Sequence, residues 1–324
     1  MSTTYVSPPL DPRQPAPGAA PRPPLLLPTL GMNVLIASGT FLVAKQTLSD
    51  FPPLVLAMLR FLLAAVLLWP LTRWLRPGRR VAPADRGRIM VLGLLAVPLN
   101  QGLFLHGMQW ASASHAALLY ALTPAFVVLI GFFHGDGRPT WRDLAGMALA
   151  FAGVLVLLLE RGLHFDPRSL QGDLLILGAV IAWAGYLVLG RQTTRRYGAL
   201  VVTTEALVAG TIMFLPIGLL ALARADLSAA SAAGWGGVLY LAWLTSALNY
   251  VSWFWGLRYL KSATVAMLTN LQPVVAAALA WALLHEPLPP PFALSLALVL
   301  GGVWLTQSAR FSRPGGAPAA PAAR

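Results

Sequence analysis

The chain contains no cysteine, and only 10% of its 324 residues are charged. The absence of cysteine excludes disulfides, thiol catalysis and cysteine-bound metal. The scarcity of charge excludes an ordinary soluble domain, in which about a quarter of the residues are charged. Because 57% of the residues are hydrophobic, the long apolar runs must face lipid or one another.

Acidic residues are especially scarce, since 11 Asp and Glu stand against 23 Lys and Arg, for a formal net charge of +12. A basic balance also occurs in proteins that bind nucleic acid. Here, however, the basic residues lie in short segments between apolar runs, which is how a topology signal looks in a membrane protein. We therefore expect a lipid bilayer as partner and no nucleic acid.

Apolar runs recur along the chain at lengths near the 20 or so residues that a helix needs to cross a bilayer. Backbone polar groups in lipid must be paired within the segment, so each run is predicted to be a helix. The sequence thus predicts an all-α membrane protein with about ten transmembrane helices. The predicted spans are 25–44, 53–74, 89–108, 113–134, 143–160, 174–190, 199–223, 234–257, 262–284 and 290–307.

The two ends of the chain lack an apolar core. Residues 1–24 and 309–324 are rich in Pro, Gly and Ala, and this composition predicts disordered tails. The first of them is no signal peptide, because it has no apolar central region.

The Lys and Arg distribution predicts the orientation. Six Arg lie between residues 73 and 88, after the second predicted helix, whereas the opposite loops carry only Lys45, Arg161, Arg168 and Arg224. The positive-inside rule then places both termini in the cytoplasm. High Ala, Leu, Pro and Arg usage is typical of a bacterium with GC-rich codons, so the expected location is the bacterial cytoplasmic membrane.

The two halves of the chain, 25–160 and 174–308, share polar and turn-forming residues at matching positions. Each half is predicted to hold five helices, and because five is odd the second half must enter the membrane from the opposite side. This arrangement is an inverted repeat, in which related positions meet near the midplane. The matching pairs are Asn100 with Asn249, Gly107 with Gly256, Pro124 with Pro273 and Gly153 with Gly302, and, at a slightly shorter spacing, Gly39 with Gly185, Gln46 with Gln192 and Pro70 with Pro216.

Four segments resemble the EamA-type transporters of the drug/metabolite transporter superfamily, over roughly residues 30–308. They are residues 59–64 (Leu-Arg-Phe-Leu-Leu-Ala), 182–185 (Ala-Trp-Ala-Gly), 113–119 leading to Pro124, and 262–288 with Pro273 and His285-Glu286-Pro287-Leu288. The resemblance implies ten helices around a central cavity and alternating access, commonly for export of amino acids or other metabolites. Two departures from the family pattern are Ser38 in place of a frequent tryptophan, and His134-Gly135-Asp136 in place of a glutamate after helix 4.

Polar side chains inside apolar runs are costly and mark candidate functional sites. Asn100 and Gln101 lie within predicted helix 3, and Asn249 and Tyr250 lie at related positions of helix 8. Symmetric amides are suited to binding a polar substrate from either side of the membrane. The alternative is that each Asn holds a neighbouring helix.

Prolines are predicted to kink helices 4 and 9 at Pro124 and Pro273, because proline removes a backbone hydrogen bond. Tyr120, Asn270 and Gln272 lie within about a turn of these kinks and are predicted to point inward. Two interpretations stay open. In one, the backbone carbonyls that lose their helical partner at each proline face the substrate; in the other, the kinks only shape the cavity.

Aromatic residues deep in the apolar runs are further candidates. Trp183, Tyr186 and Trp253 are placed to form apolar or cation–π walls for a substrate, and ordinary helix packing is the alternative.

Arg60 and Glu205 are the candidates for gating or coupling. Arg60 lies inside helix 2, and the sequence leaves three roles open for it. They are an ion pair with Glu205, neutralisation of a substrate carboxylate, and extension of the side chain to a membrane interface. Glu205 is the acid placed deep in an apolar run. A buried carboxyl takes up a proton more readily, so Glu205 is the first candidate for proton coupling; an ion pair or an interface position is the alternative.

The sequence contains no Gly-x-x-x-x-Gly-Lys segment, so ATP is not the direct energy source, and its histidines have no metal-ligand spacing. We expect no cofactor and no enzymatic activity. The predicted function is secondary transport of a small polar or amphipathic metabolite, such as an amino acid, by alternating access, with export as the expected direction. The alternatives are an intramembrane enzyme, which needs a polar catalytic cluster, and a membrane scaffold, which carries no flux.

Overall fold

The computed structural model describes residues 24–134, 139–159, 167–249, 252 and 271–311. These residues are helical and contain no strand. The helices are α1 (Leu26–Thr47), α2 (Pro53–Leu75), α3 (Pro83–Gly107), α4 (Ala113–Phe133), α5 (Trp141–Leu159), α6 (Pro167–Tyr197), α7 (Ala199–Leu222), α8 (Ala232–Leu248), α9 (Gln272–Leu284) and α10 (Pro290–Phe311). The candidates Tyr250, Trp253 and Asn270 and nearly all of both predicted tails lie outside the described residues.

Five of these helices, α2, α3, α4, α6 and α7, are long and apolar enough to cross a membrane, and α8, α9 and α10 contain shorter apolar stretches. The predicted spans agree with the described helices to within a few residues, except at the start of α3 and at α6. The end of the eighth predicted span and the start of the ninth lie outside the described residues. Helix α6 extends beyond the predicted 174–190 at both ends. An apolar run predicts where a helix meets lipid, and it does not predict how far the helix continues into polar sequence.

Contacts between helix termini define two ends of the molecule. At one, which we call the Lys45 end, Lys45 of α1 donates to carbonyls just after α3, and Asp50 accepts hydrogen bonds from Ser231 at the start of α8. At the other, the Arg73 end, Arg73 of α2 pairs with Glu205 near the start of α7. Since α3 ends and α8 begins at the Lys45 end, these two helices run in opposite directions.

Helices α2 and α7 also run antiparallel. The hydroxyls of Thr72 and Thr204 lie 2.8 Å apart, and Thr211 donates to the carbonyl of Phe61 over 3.4 Å. Later positions of α2 therefore lie beside earlier positions of α7, as expected for related helices of an inverted repeat.

Helices α5 and α10 approach closely through small residues. A Cβ atom on Gly153 would lie 2.9 Å from the carbonyl oxygen of Ser295, and one on Gly302 would lie 2.6 Å from the backbone nitrogen of Ala150. The later position on α5 meets the earlier position on α10, so this pair is antiparallel as well. Glycine permits the approach because it has no side chain to separate the backbones.

Side-to-side contacts divide six helices into two bundles. In the first bundle α6 packs against α3 and α4, and in the second bundle α1 packs against α8 and α9. Each bundle joins one helix from one half of the chain to two from the other half, so exchanging the halves exchanges the bundles. The two bundles meet where the first segment of α4, Ala113–Tyr120, contacts α1 and α9.

We predict that Gly302→Ala destabilises the protein by about 1–3 kcal/mol, because an added methyl overpacks the α5–α10 contact. The matched control is Gly301→Ala. Among the residues that the structure describes, only Leu149 Cδ2 lies within 4 Å of its added methyl, at 3.6 Å. Thermal unfolding in detergent measures both variants. Equal melting temperatures would contradict the close contact.

Candidate functional site

Arg60 lies at the centre of the candidate site, between the two bundles. Its side chain is buried, with 4% of its surface exposed. Nη1 donates to Gln101 Oε1 of α3 over 2.9 Å, and Nε donates to Ser246 Oγ of α8 over 3.1 Å. A single guanidinium on α2 therefore holds one residue of each bundle. Ser246 is itself fixed, because its hydroxyl donates to the carbonyl of Leu241 over 2.9 Å.

An amide chain continues from Gln101 into the first bundle. The Gln101 Nε2 donates to Asn100 Oδ1. Asn100 Nδ2 then donates to the Tyr120 hydroxyl of α4 and to the Ala179 carbonyl of α6, each over 2.8 Å. Asn100 is fully buried, so these partners offset the cost of removing its amide from water. The chain links α3, α4 and α6 through side chains that the sequence predicts to lie in the site.

Tyr120 also faces the second bundle. Its ring meets Phe41 of α1 with centroids 5.7 Å apart, and Phe104 of α3 with centroids 5.5 Å apart, both edge to face. Edge-to-face contacts are the favourable geometry for aromatic pairs. Tyr120 thus has its hydroxyl in the polar chain and its ring in an apolar contact that spans both bundles.

The two related Asn residues each follow a widened π-helical turn. In α3 this turn is Leu95–Leu99, directly before Asn100, and in α8 it is Tyr240–Leu248, directly before Asn249. Pro98 contributes to the first, because it has no N–H to complete the regular α-helical bonding. Such turns occur often at functional sites. They recur at related positions of the two halves, directly before the two Asn residues.

Helix α4 changes direction at its proline. Its first segment ends at Tyr120, and Pro124 lies in the first turn of the second segment. Proline cannot donate to the Tyr120 carbonyl, which instead accepts a hydrogen bond from Thr123 Oγ1 over 2.6 Å. The predicted kink is present, and a side chain within the same helix satisfies the freed carbonyl.

Pro273 occupies the corresponding place in the first turn of α9. The adjacent backbone carbonyl of Gln272 accepts a hydrogen bond from Ser38 Oγ of α1 over 3.2 Å. The side chains of Gln272 and Asn249 are partly exposed, and no hydrogen bond joins the Asn249 side chain to another described residue. The second half therefore lacks, among the described residues, the closed amide chain of the first.

Trp183 and Tyr186 stack on one another in α6. Their ring centroids lie 5.0 Å apart with an interplanar angle of 13°, and the Tyr186 hydroxyl lies 3.2 Å from Thr203 Oγ1 of α7. Trp183 follows Ala179 by four residues and so shares its helix face. The carbonyl bonded to Asn100 therefore belongs to a residue about one helical turn before Trp183.

The ion pair between Arg60 and Glu205 that the sequence suggested does not form in the described part of the chain. Glu205 instead lies 3.4 Å from Arg73, and its side chain is 24% exposed. The physical reason is the antiparallel packing of α2 and α7, which sets the start of α7 beside the end of α2. Glu205 therefore lies at the Arg73 end, beside Arg73 and not beside Arg60.

Sequence analysis missed Ser246 and Ser38. Both hydroxyls bond across helices of the site, to Arg60 and to the Gln272 carbonyl. A signal for Ser246 was present, because it precedes Asn249 by three residues and so lies on a neighbouring part of the same helix face. Ser38 was noted only as a departure from the family pattern, and a serine in a membrane-spanning helix does not by itself indicate a partner.

The groups assembled around Arg60 are a guanidinium, amides, hydroxyls and aromatic rings. They can bind a polar molecule through hydrogen bonds, one positive charge and ring contacts. No group of three or more His, Asp or Glu residues that could hold a metal occurs among the residues that the structure describes.

The model of the EamA-like transporter family matches residues 30–159 and 170–307. The chain therefore belongs to the EamA-like transporter family. With its apolar helices, it is a multi-pass membrane transporter.

Named relatives agree with this assignment. An "Uncharacterized transporter" of Archaeoglobus fulgidus is 31% identical over 86% of this chain and 95% of its own. The "Uncharacterized transporter YetK" of Bacillus subtilis is 26% identical over 86% and 85%. A "Probable terminal-alkyne amino-acid exporter" of Streptantibioticus cattleyicolor is 32% identical over 70% and 75%. A solved crystal structure, 19% identical over 88% of this chain and 98% of its own, has a TM-score of 0.63 and shows the same fold.

We predict that Asn100→Ala costs more stability than Asn249→Ala. Removing the Asn100 amide leaves the Tyr120 hydroxyl and the Ala179 carbonyl without this partner, at a cost of about 1–3 kcal/mol. Thermal unfolding in one detergent compares the two variants. An equal or larger loss for Asn249→Ala would show that the amide chain does not stabilise the first bundle.

Proposed function

We propose that this protein is a secondary transporter that moves a small polar or amphipathic metabolite across the bacterial cytoplasmic membrane by alternating access, in the direction of export. The observation that carries the proposal is the position of Arg60. This buried cation is bonded to Gln101 of the first bundle and to Ser246 of the second. A group held by both bundles is suited to sense a molecule bound between them and to follow their relative movement.

The proposed architecture is an inverted repeat of about ten spans, five from each half. Three pairs of related helices, α2 with α7, α3 with α8 and α5 with α10, run in opposite directions, which supports the inversion. The correspondence of the two bundles when the halves are exchanged supports a pseudo-two-fold axis in the membrane plane. Two states related by that axis would open the site to one side and then to the other.

The proposed binding site lies around Arg60 and the amide chain, with the partly exposed Gln101, Tyr120 and Trp183 facing the substrate. The related residues Asn249, Tyr250, Trp253, Asn270 and Gln272 are proposed to complete it from the second half. One cation among neutral groups suits a small molecule with at most one negative charge. The name of the Streptantibioticus cattleyicolor relative supports an amino acid or a related compound.

The proposed orientation places the Arg73 end in the cytoplasm together with both termini. The Arg residues that follow α2 and those in the last turns of α6 lie at this end, and cytoplasmic loops are enriched in Lys and Arg.

Flux into liposomes tests the proposal. Purified protein is reconstituted, and uptake of a panel of amino acids and other small metabolites is measured. We predict that Arg60→Gln lowers the uptake of any transported compound at least about tenfold, because the central charge and the guanidinium bonds to Gln101 and Ser246 are lost. The matched control is Arg142→Gln, which removes an exposed Arg at the start of α5.

The outcomes separate transport from its alternatives. Uptake that depends on Arg60 and not on Arg142 supports the proposed site. Uptake that survives Arg60→Gln unchanged rules the site out. No uptake across a broad panel favours a scaffold or an intramembrane enzyme.

Proton coupling through Glu205 is a separate proposal. Protonation would remove the charge that holds Arg73 at 3.4 Å and would weaken the contact between α2 and α7 at this end. We predict that an imposed pH gradient changes uptake by the unaltered protein and has no effect on Glu205→Gln. A gradient response of the same size in both would exclude Glu205 as the coupling residue.

A further inference from the structure

Lys45 joins α1 to the end of α3. Its Nζ donates to the carbonyls of Met108, Gln109 and Ala111, over 2.8, 3.3 and 2.7 Å. These carbonyls belong to the C-cap of α3 and to the turn that follows it, beyond the last residue of the helix. The partial negative charge at the C-terminus of a helix further favours a cation there.

Glu286 makes the complementary contact from α9 to the start of α4. Its carboxylate accepts hydrogen bonds from the backbone N–H of Ala113 over 2.9 Å, from that of Ser114 over 3.2 Å and from the Ser114 hydroxyl over 2.8 Å. These N–H groups begin α4 and have no partner within the helix. The carboxylate is favoured there by the partial positive charge of the helix N-terminus.

The backbone at the end of α9 directs Glu286 toward α4. His285 has a φ of 52° and a left-handed conformation, and the Glu286 N–H bonds the carbonyl of Ala280 over 3.2 Å. A left-handed residue at this position commonly ends a helix. It reverses the chain immediately before Glu286 and so places the carboxylate at the turn between α3 and α4.

Both contacts cross from one bundle to the other. Lys45 and Glu286 belong to the elements of the second bundle, and the turn that they bind joins α3 to α4 of the first. Two other polar contacts at the same end lie within one bundle. Asp50 binds Ser231 inside the second, and His115 lies 3.4 Å from Asp173 inside the first.

We propose that the contacts of Lys45 and Glu286 with the turn between α3 and α4 together form a latch that closes the Lys45 end. The structure then represents the conformation that is closed at this end. This inference rests on the proposed alternating-access function. Two opposite charges, each attached to its own helix of the second bundle, cap the two arms of one helical hairpin in the first. Opening this end for substrate must release both caps, and loss of either weakens the closure.

The absence of cysteine from the natural chain permits a direct test by labelling. Ala117→Cys serves as the reporter, because Ala117 is 2% exposed and lies on α4 between Ala113, which binds Glu286, and Tyr120, which contacts Phe41. It is therefore covered when the latch is closed. A membrane-impermeant maleimide is added from the Lys45 side of oriented proteoliposomes, and the rate of labelling is measured.

We expect Lys45→Met and Glu286→Gln, each combined with the reporter, to raise the labelling rate about tenfold or more, because a charge-assisted cap is lost in each. Asp50→Asn is the matched control, since it removes a charge at the same end from a contact within one bundle. It should leave the labelling rate unchanged. Ser114→Ala removes only one hydrogen bond to Glu286 and should give a smaller increase, which keeps the test available if the charge variants do not fold.

Uptake measured on the same preparations separates the latch from the proposed function. Faster labelling of the latch variants without uptake of any compound would uphold the latch and refute transport. Uptake by the unaltered protein together with unchanged labelling of Lys45→Met, Glu286→Gln and Ser114→Ala would overturn the latch and leave transport standing. Equal acceleration in Asp50→Asn would also overturn it, because general loosening would then explain the result.

Discussion

The buried guanidinium of Arg60 is the interaction on which the arrangement of the two bundles depends. A cation inside a lipid-embedded protein is costly unless neighbouring groups bind it, and here α3 and α8 each supply an oxygen, from Gln101 and Ser246. This requirement brings one helix of each bundle to the same face of α2. It also places the polar chain from Gln101 through Asn100 to Tyr120 at the level where the bundles face each other. The position of the candidate site thus follows from the need to give the Arg60 guanidinium hydrogen-bond partners.

The two halves have the same plan, but they differ in chemistry. Asn100 binds Tyr120 and a backbone carbonyl, whereas the related Asn249 is partly exposed. At the interface between α1 and α8 the hydroxyls of Thr40 and Thr245 lie 3.3 Å apart. The related interface between α3 and α6 is held by close backbone approach at Gly107. In the proposed alternating-access cycle, equivalent surfaces with different polarity would make the two states unequal in free energy.

Much of this molecule was predictable, because lipid restricts what a chain can do. Apolar runs had to become helices, and the recurrence of Asn, Gly and Pro at related positions pointed to a duplicated unit; α5 and α10 then pack through Gly153 and Gly302. The partner of Glu205 was not predictable, because it depends on the register between α2 and α7, which apolar periodicity does not encode. The roles of Ser38 and Lys45 could not be predicted for a related reason. A serine in a helix or a lysine at its end is ordinary in sequence, and only the neighbouring helix gives it a function.

The opposed direction of the two halves is the claim from which the site, the bundles and the latch all follow. Single cysteines at Arg80, after α2, and at Asp226, after α7, test it in intact cells, since both positions are exposed and the natural chain has no cysteine. An impermeant maleimide added outside should label Asp226→Cys and leave Arg80→Cys unlabelled until the membrane is opened. Labelling of both from the same side would mean that the halves are parallel, and it would contradict the inverted arrangement.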